Sequence, residues 1–290
     1  MLNPRDSAKD NDFELYRYTP SLPAAIHGVI VFAILTVVHT VRLRQARANY
    51  FIPFTIGGLW SLSIVQTIGY AGRIWGHYDK EALGGFVTQA VLILVAPALY
   101  AASIYMILGR LIRTLDAQHL FFIPLKWVTK IFVAGDVLSF TLQASGGGLS
   151  SGGTVDMYHL GEKVIVAGLF VQIAVFGIFV VSTAIFHSRI RKNPTAIASH
   201  GDILWKRHLN VLYLTSGLIL VRSIFRVIEY IQGNDGYLIS HEVFLYVFDA
   251  LLMAAVMVIF LVSYVDGLTS VRKDKEASVD SNGHIMDELR

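Results

Sequence analysis

Nine side chains with charged or amide groups lie inside stretches that are otherwise leucine, valine, isoleucine and alanine: Gln66, Gln89, Asp136, Gln143, Gln172, Arg222, Arg226, Glu229 and Asp249. Glu242 stands near the end of one such stretch. The densest group is VRSIFRVIEY, residues 221–230, where Arg222, Arg226 and Glu229 recur at helical spacing and share one face. Asp136 and Gln143 are seven apart, and Glu242, Tyr246 and Asp249 follow the same rule. Such groups can pair with one another, or they can hold the polar end of a ligand whose remainder is apolar. Which chemistry applies depends on the solvent around the helices.

Composition decides the solvent. Of the 290 residues, 54% are hydrophobic and 16% are charged, and the mean hydropathy is +0.56. Soluble domains carry about a quarter charged residues. The apolar runs are long enough to cross about 30 Å of hydrocarbon. Seven spans are expected, at about 22–43, 51–72, 82–107, 123–144, 161–185, 208–231 and 242–265. The fold class is therefore all-α, a polytopic membrane protein with a seven-transmembrane helix bundle. Residues 1–21 form an extracellular tail, 22–265 the helical domain, and 266–290 a polar cytoplasmic tail with nothing to bury. No cleavable signal pattern precedes the first run, so that run is expected to act as its own insertion signal.

Orientation follows from lysine and arginine. Fifteen fall in the loops and tail on one side and six on the other, which places the N-terminus outside and the C-terminus in the cytoplasm. The residues 145–160 (with SGGGLSSGG) read as an outer loop, and 186–207 as a basic inner loop. In this topology Gln66, Gln89, Gln143, Arg222, Arg226, Glu229 and Asp249 fall in the outer half of the membrane, with Asp136 near the midplane. The expectation is one polar cavity shared by five spans. An ionisable group at such depth costs about 2.5–3.5 kcal/mol or more, so it faces the bundle and marks function by default. The alternative for the same charges is mutual pairing that only locks helices together.

Several chemistries lack their parts. There is no cysteine, so no disulfide and no thiolate. Neither HExxH nor HxxxH occurs, and the histidines are scattered, which disfavours a zinc-dependent hydrolase. No G-x-S-x-G elbow is present, and the glycine-rich run lacks the Lys-Ser/Thr ending of a phosphate-binding loop. No enzyme activity, cofactor or metal is expected. Pro97, among small residues in LVAPALYAASIY, is expected to kink the third span.

The stretches YRYTPSLPAAIHGVIVF, GYAGR, LVAPALYAASIYMILGRLI, KWVTKIFVAGDVLSFTLQASGGG, LVRSIFRVIEYIQGNDGYL and HEVFLYVFDALLM occur in an order that resembles the fungal lipid-translocating exporter family, the resistance-to-aminocholesterol-like proteins. The resemblance covers most of 16–265 and implies a seven-span fungal protein, often at the plasma membrane. It further implies release of sphingoid bases or related lipids, tolerance of toxic amphiphiles, and in one branch porphyrin uptake. The family pattern is matched at Gly69, Tyr70, Arg73, Pro97, Tyr105, Gly109, Arg110, Asp136, Gln143, Arg222, Arg226, Glu229, Glu242 and Asp249. Gln66 stands where the family commonly has glutamate, and Val265-Asp266-Gly267 where it often has His-Pro-Gly. The expected substrate-binding residues are Gln66, Gln89, Asp136, Gln143, Arg222, Arg226, Glu229 and Asp249, with membrane lipids or other amphiphiles as partners. A seven-span receptor, whose basic inner loop docks a signalling protein, and a lipid-amide hydrolase are the competing readings.

Overall fold

The computed structural model describes residues 21–45, 61–78, 83–150, 155–199, 205–232 and 236–263. A described helix overlaps each expected span: α1 (Leu22–Gln45), α2 (Ser61–Tyr78), α3 (Leu83–Thr114), α4 (Leu125–Ser150), α5 (Val155–Lys192), α6 (Trp205–Ile231) and α7 (Glu242–Val262), with 51–60 of the second expected span outside the described residues. No strand occurs among the described residues. Four of the helices, α1, α5, α6 and α7, are long and apolar enough to cross a membrane. The expected tails, 1–21 and 266–290, lie outside the described residues apart from Ser21.

Helices adjacent in sequence pack against each other, and α7 returns to α1, which closes the bundle. α3 is its centre: it touches α2, α4, α5 and α6, and buries Tyr100, Ile104, Leu108, Leu111 and Ile112 completely. The outward faces are also apolar. Ile34, Val37, Ile178, Val181 and Val262 are all more than half exposed, an arrangement that water would penalise and hydrocarbon does not. Serine and threonine hydroxyls turn back onto carbonyls of their own helices, as Thr36 does to Phe32, Ser182 to Ile178 and Thr215 to Val211. That is how such residues are satisfied where no water is available.

The ends of the bundle are pinned by specific bonds. The backbone N–H of Ser21, just before α1, donates to both oxygens of Glu242 at the start of α7 (2.9 and 3.1 Å). Midway along, the buried His39 ring of α1 meets the Met257 carbonyl of α7 at 3.2 Å. At the other end, α3 closes with Asp116 at φ 50°, a left-handed residue, and the Ala117 N–H bonds back to the Ile112 carbonyl.

Two expectations on loops are corrected. The glycine-rich stretch is helical as far as Ser150, and α5 already begins at Val155, leaving only 151–154 outside the described residues. Of its glycines, Gly146 serves packing: a Cβ there would stand 2.7 Å from the Gly161 carbonyl oxygen and from Ile165, whereas one on Gly147 or Gly148 would meet nothing within 4 Å. The basic inner loop is likewise mostly helical, since α5 continues through Lys192 and a single turn forms at Ala196–Ser199. Pro97 lies buried within α3, which continues on both sides of it.

Candidate functional site

Seven of the nine polar side chains lie among the described residues, and these seven do not share one wall. Those described divide among three places, each built by a different pair of helices, with a further pair within α6.

The first lies between α6 and α7. Arg222 Nε is ion-paired with Asp249 Oδ1, and the two side chains are 3% and 1% exposed. Asp249 sits in a π-helical turn, Tyr246–Leu251, in an otherwise α-helical segment. Such a turn accommodates one extra residue, shifts the side chains that follow, and recurs at functional sites. Tyr100 of α3, fully buried, lies within electrostatic reach of both Arg222 and Asp249, and Tyr70 of α2 within reach of Arg222. Tyr246, one turn before Asp249, stacks on Tyr70 at 6.0 Å, and Phe32 of α1 stacks on the other side at 5.5 Å. An ion pair drawn from two helices thus has phenols of α2 and α3 within electrostatic reach.

Arg226 and Glu229 lie one turn further along α6 and pair with each other at 2.7 Å. Arg226 also packs over the Tyr230 ring, 5.1 Å from its centre, and its guanidinium reaches the Tyr230 hydroxyl at 3.5 Å. This pair is internal to one helix, and its side chains are 13% and 9% exposed.

The second place lies between α3 and α4. Asp136 is 4% exposed. Neither of its oxygens has a hydrogen-bond partner, and no described cation pairs with it. The Tyr105 hydroxyl of α3 lies within its electrostatic reach but short of hydrogen-bonding geometry. Around them the Tyr105 ring packs against Phe132, Phe176 and Phe179, with centres 4.5–6.1 Å apart. Pairing of Asp136 with Arg222 or Arg226, open from sequence, does not occur. Tyr100 and Tyr105 are five residues apart, about 140° around the helix, so α3 presents one phenol to each place.

The third is the seam between antiparallel α4 and α5. Gln143 Nε2 donates to Ser139 Oγ (2.8 Å) and to Gln172 Oε1 (3.1 Å), and Ser139 Oγ donates to the Gly168 carbonyl (2.8 Å). A Cβ on Gly168 would lie 2.8 Å from Gln143 Cγ and 3.0 Å from the Ser139 carbonyl oxygen. Gly135 meets Val175 in the same way. Small residues let the backbones approach and amides join them across the gap, the usual construction of helix pairs in lipid. Gln143 is thereby committed to its neighbour helix.

Gln66 and Gln89 fall in α2 and α3, but their side chains lie outside the described residues. Sequence reasoning did not single out Tyr100, Ser139 or Gly168. Ser139 stands one turn before Gln143, and Gly168 one turn before Gln172, so helical spacing contained that signal. Tyr100 had none, because only packing brings α3 beside α6 and α7. Among the described residues no group of three or more histidines and carboxylates is placed to hold a metal ion.

The model of the RTA1-like protein family matches residues 54–270. Protein RTA1 of Saccharomyces cerevisiae is 39% identical over 89% of this chain and 86% of its own length. The protoporphyrin uptake protein 1 of the same yeast is 40% identical over 88% of this chain and 93% of its own length. A yeast protein named sphingoid long-chain base transporter RSB1 is 26% identical over 87% of this chain and 74% of its own length. No solved structure gives a significant match.

Proposed function

The chain belongs to the RTA1-like family of fungal membrane proteins, and from that premise we propose that it translocates amphiphilic lipids, sphingoid-base-like or related, and so confers tolerance of toxic amphiphiles. The observation that carries the reading is the buried Arg222–Asp249 pair on the π-helical turn of α7. Such a pair is net neutral, and a headgroup bearing an ammonium, a phosphate or both can exchange with it: the cation meets Asp249 and the anion meets Arg222. Tyr70 and Tyr100 bring phenol groups within electrostatic reach of the exchange. The lipid tail stays against the apolar outer faces, so only the headgroup is desolvated, which is the costly part of crossing a bilayer.

Asp136, without a cationic partner, is the second polar station, reached across α3 through Tyr105. Gln143 has a structural role in the α4–α5 seam. The topology of the proposal is seven spans with the N-terminus outside, at the plasma membrane, by the excess of basic residues on one side. Transport involves no covalent chemistry. With no nucleotide-binding motif in the sequence, a gradient or a partner drives it. The similarity to a protein named for sphingoid base transport and to one named for protoporphyrin uptake supports an amphiphilic cargo.

Purified protein in liposomes, with a labelled long-chain base in one leaflet, tests the reading. Wild type should move the label faster than protein-free vesicles do. Arg222→Met/Asp249→Leu, which removes both charges and puts apolar side chains in their place, should remain folded and move none. A double variant as active as wild type would displace the site, and an inactive wild type would leave the receptor reading in its place.

A further inference from the structure

At the end of α6 and α7 opposite the Arg222–Asp249 pair, the two helices leave a groove of about 640 Å³. Its walls include Leu214 of α6 and Val258 and Val262 of α7, all exposed and apolar. Lys206, Arg207 and Asn210 stand at its mouth, in the first turns of α6. Arg207, Asn210 and Leu214 lie at i, i+3 and i+7, hence on one face. Neither Lys206 nor Arg207 has an ion-pair partner among the described residues. Lys206 rests instead over the Trp205 ring, 5.6 Å from its centre.

We propose that this groove is a binding site for an anionic phospholipid, its phosphate held by Lys206, Arg207 and Asn210 and one acyl chain lying against Leu214, Val258 and Val262. Three features select this occupant. The mouth carries two uncompensated cations at the helix end where headgroups lie, and such cations between helices recognise anionic headgroups. Beyond these polar residues the wall is apolar, with Val211 and Leu214 of α6 facing Val258, Ile259 and Val262 of α7, and it runs about 6 Å further toward the bilayer interior at the rise of an α-helix, as an acyl chain requires and a soluble anion does not. The volume falls within the range of about 300–1,000 Å³ typical of small-molecule sites. A structural lipid here would brace α6 against α7 at the end remote from their ion pair. The site is separate from the one assigned to cargo and does not depend on it.

The test uses the full-length protein in nanodiscs of phosphatidylcholine with a minor fraction of phosphatidylserine, and reads the lipids retained after delipidation by native mass spectrometry. Wild type should retain phosphatidylserine in preference to phosphatidylcholine, and soluble glycerol phosphate should not displace it. Lys206→Gln/Arg207→Gln should lower that preference about thirtyfold, from roughly fivefold per cation at a membrane surface. Leu214→Trp/Val258→Trp, which fills the apolar wall, should abolish retention while both cations remain. Circular dichroism and gel filtration identify variants that stay folded. A third, full-length variant has the six acidic residues between 266 and 288 changed to amides, and it should bind as wild type does. Equal retention of the two lipids by wild type, or unchanged retention in both groove variants, overturns the proposal. Retention that arises only in the amide variant also overturns it, by assigning the groove to the chain's own tail. Cargo movement is not measured, so this result and the transport assay fail independently.

Discussion

The α4–α5 seam and the α6–α7 pair both bury polar side chains in an apolar bundle, yet they solve the problem in opposite ways. The seam is uncharged: Gln143, Ser139 and Gln172 bond to one another and to the Gly168 carbonyl, and glycines bring the backbones close enough for short bonds. Such a contact has one good geometry and loses everything if the helices separate. The pair is charged and joins its helices through side chains, with Asp249 carried on a π-helical turn. A headgroup can replace either member of an ion pair, but nothing can replace a missing Cβ. On the proposed function, rigidity belongs to the seam and exchange to the pair.

The strongest way to break this comparison is to remove one member of the pair. Asp249→Leu takes away the carboxylate that meets Arg222 Nε and should cost about 3–5 kcal/mol, read as a loss of thermal stability in detergent by circular dichroism. Arg222→Met/Asp249→Leu should recover most of that loss, since two apolar residues can replace a buried pair without net cost. A single-variant cost no greater than that of an exposed pair, about 1 kcal/mol, would mean that the pair is not desolvated at all.

Next in size is Gly168→Ala. Its methyl would press on Gln143 and the Ser139 carbonyl, and overpacking of this kind costs about 1–3 kcal/mol. The comparison is sharpened if transport per folded molecule stays at the wild-type rate, measured in the same liposomes. A folded Gly168→Ala protein that no longer transports would show that the seam moves during the cycle.

Gln143→Leu should cost less, about 0.6 kcal/mol for each interhelical hydrogen bond removed, again with transport retained. Arg226→Gln/Glu229→Gln should be the mildest. It removes a pair within one helix, worth about 0.5 kcal/mol, and preserves amide hydrogen bonding, so the midpoint of unfolding should scarcely move. A large loss there would show that Arg226 holds more than its neighbour on α6.

Much of the architecture was legible in the chain. The lengths of the apolar runs located every long helix, because lipid demands that each crossing satisfy its own backbone. The errors fell at helix ends. Glycine and serine at 145–150 read as a loop by the rules of water, where an exposed glycine favours a turn; in the bundle the stretch is helical, and Gly146 lets α4 lie close against α5. The costly polar residues inside the helices were legible one by one; how the described ones are grouped was not. Spacing places Arg222, Arg226 and Glu229 on one face, yet Arg222 turns to α7 and Arg226 stays on its own helix. Asp136, whose natural partners in sequence are those arginines, faces a tyrosine instead.

What the sequence determined by itself is the solvent, the helices and the inventory of costly groups, because each follows from local composition and a fixed helical period. Tertiary structure alone decided which charge meets which. It put Tyr100 beside the Arg222–Asp249 pair, widened the turn that carries Asp249, and kept α3 between that pair and Asp136. Those outcomes depend on how helices rotate about their axes when they pack, and rotation is set by the fit of whole faces across the bundle rather than by any one segment of the chain.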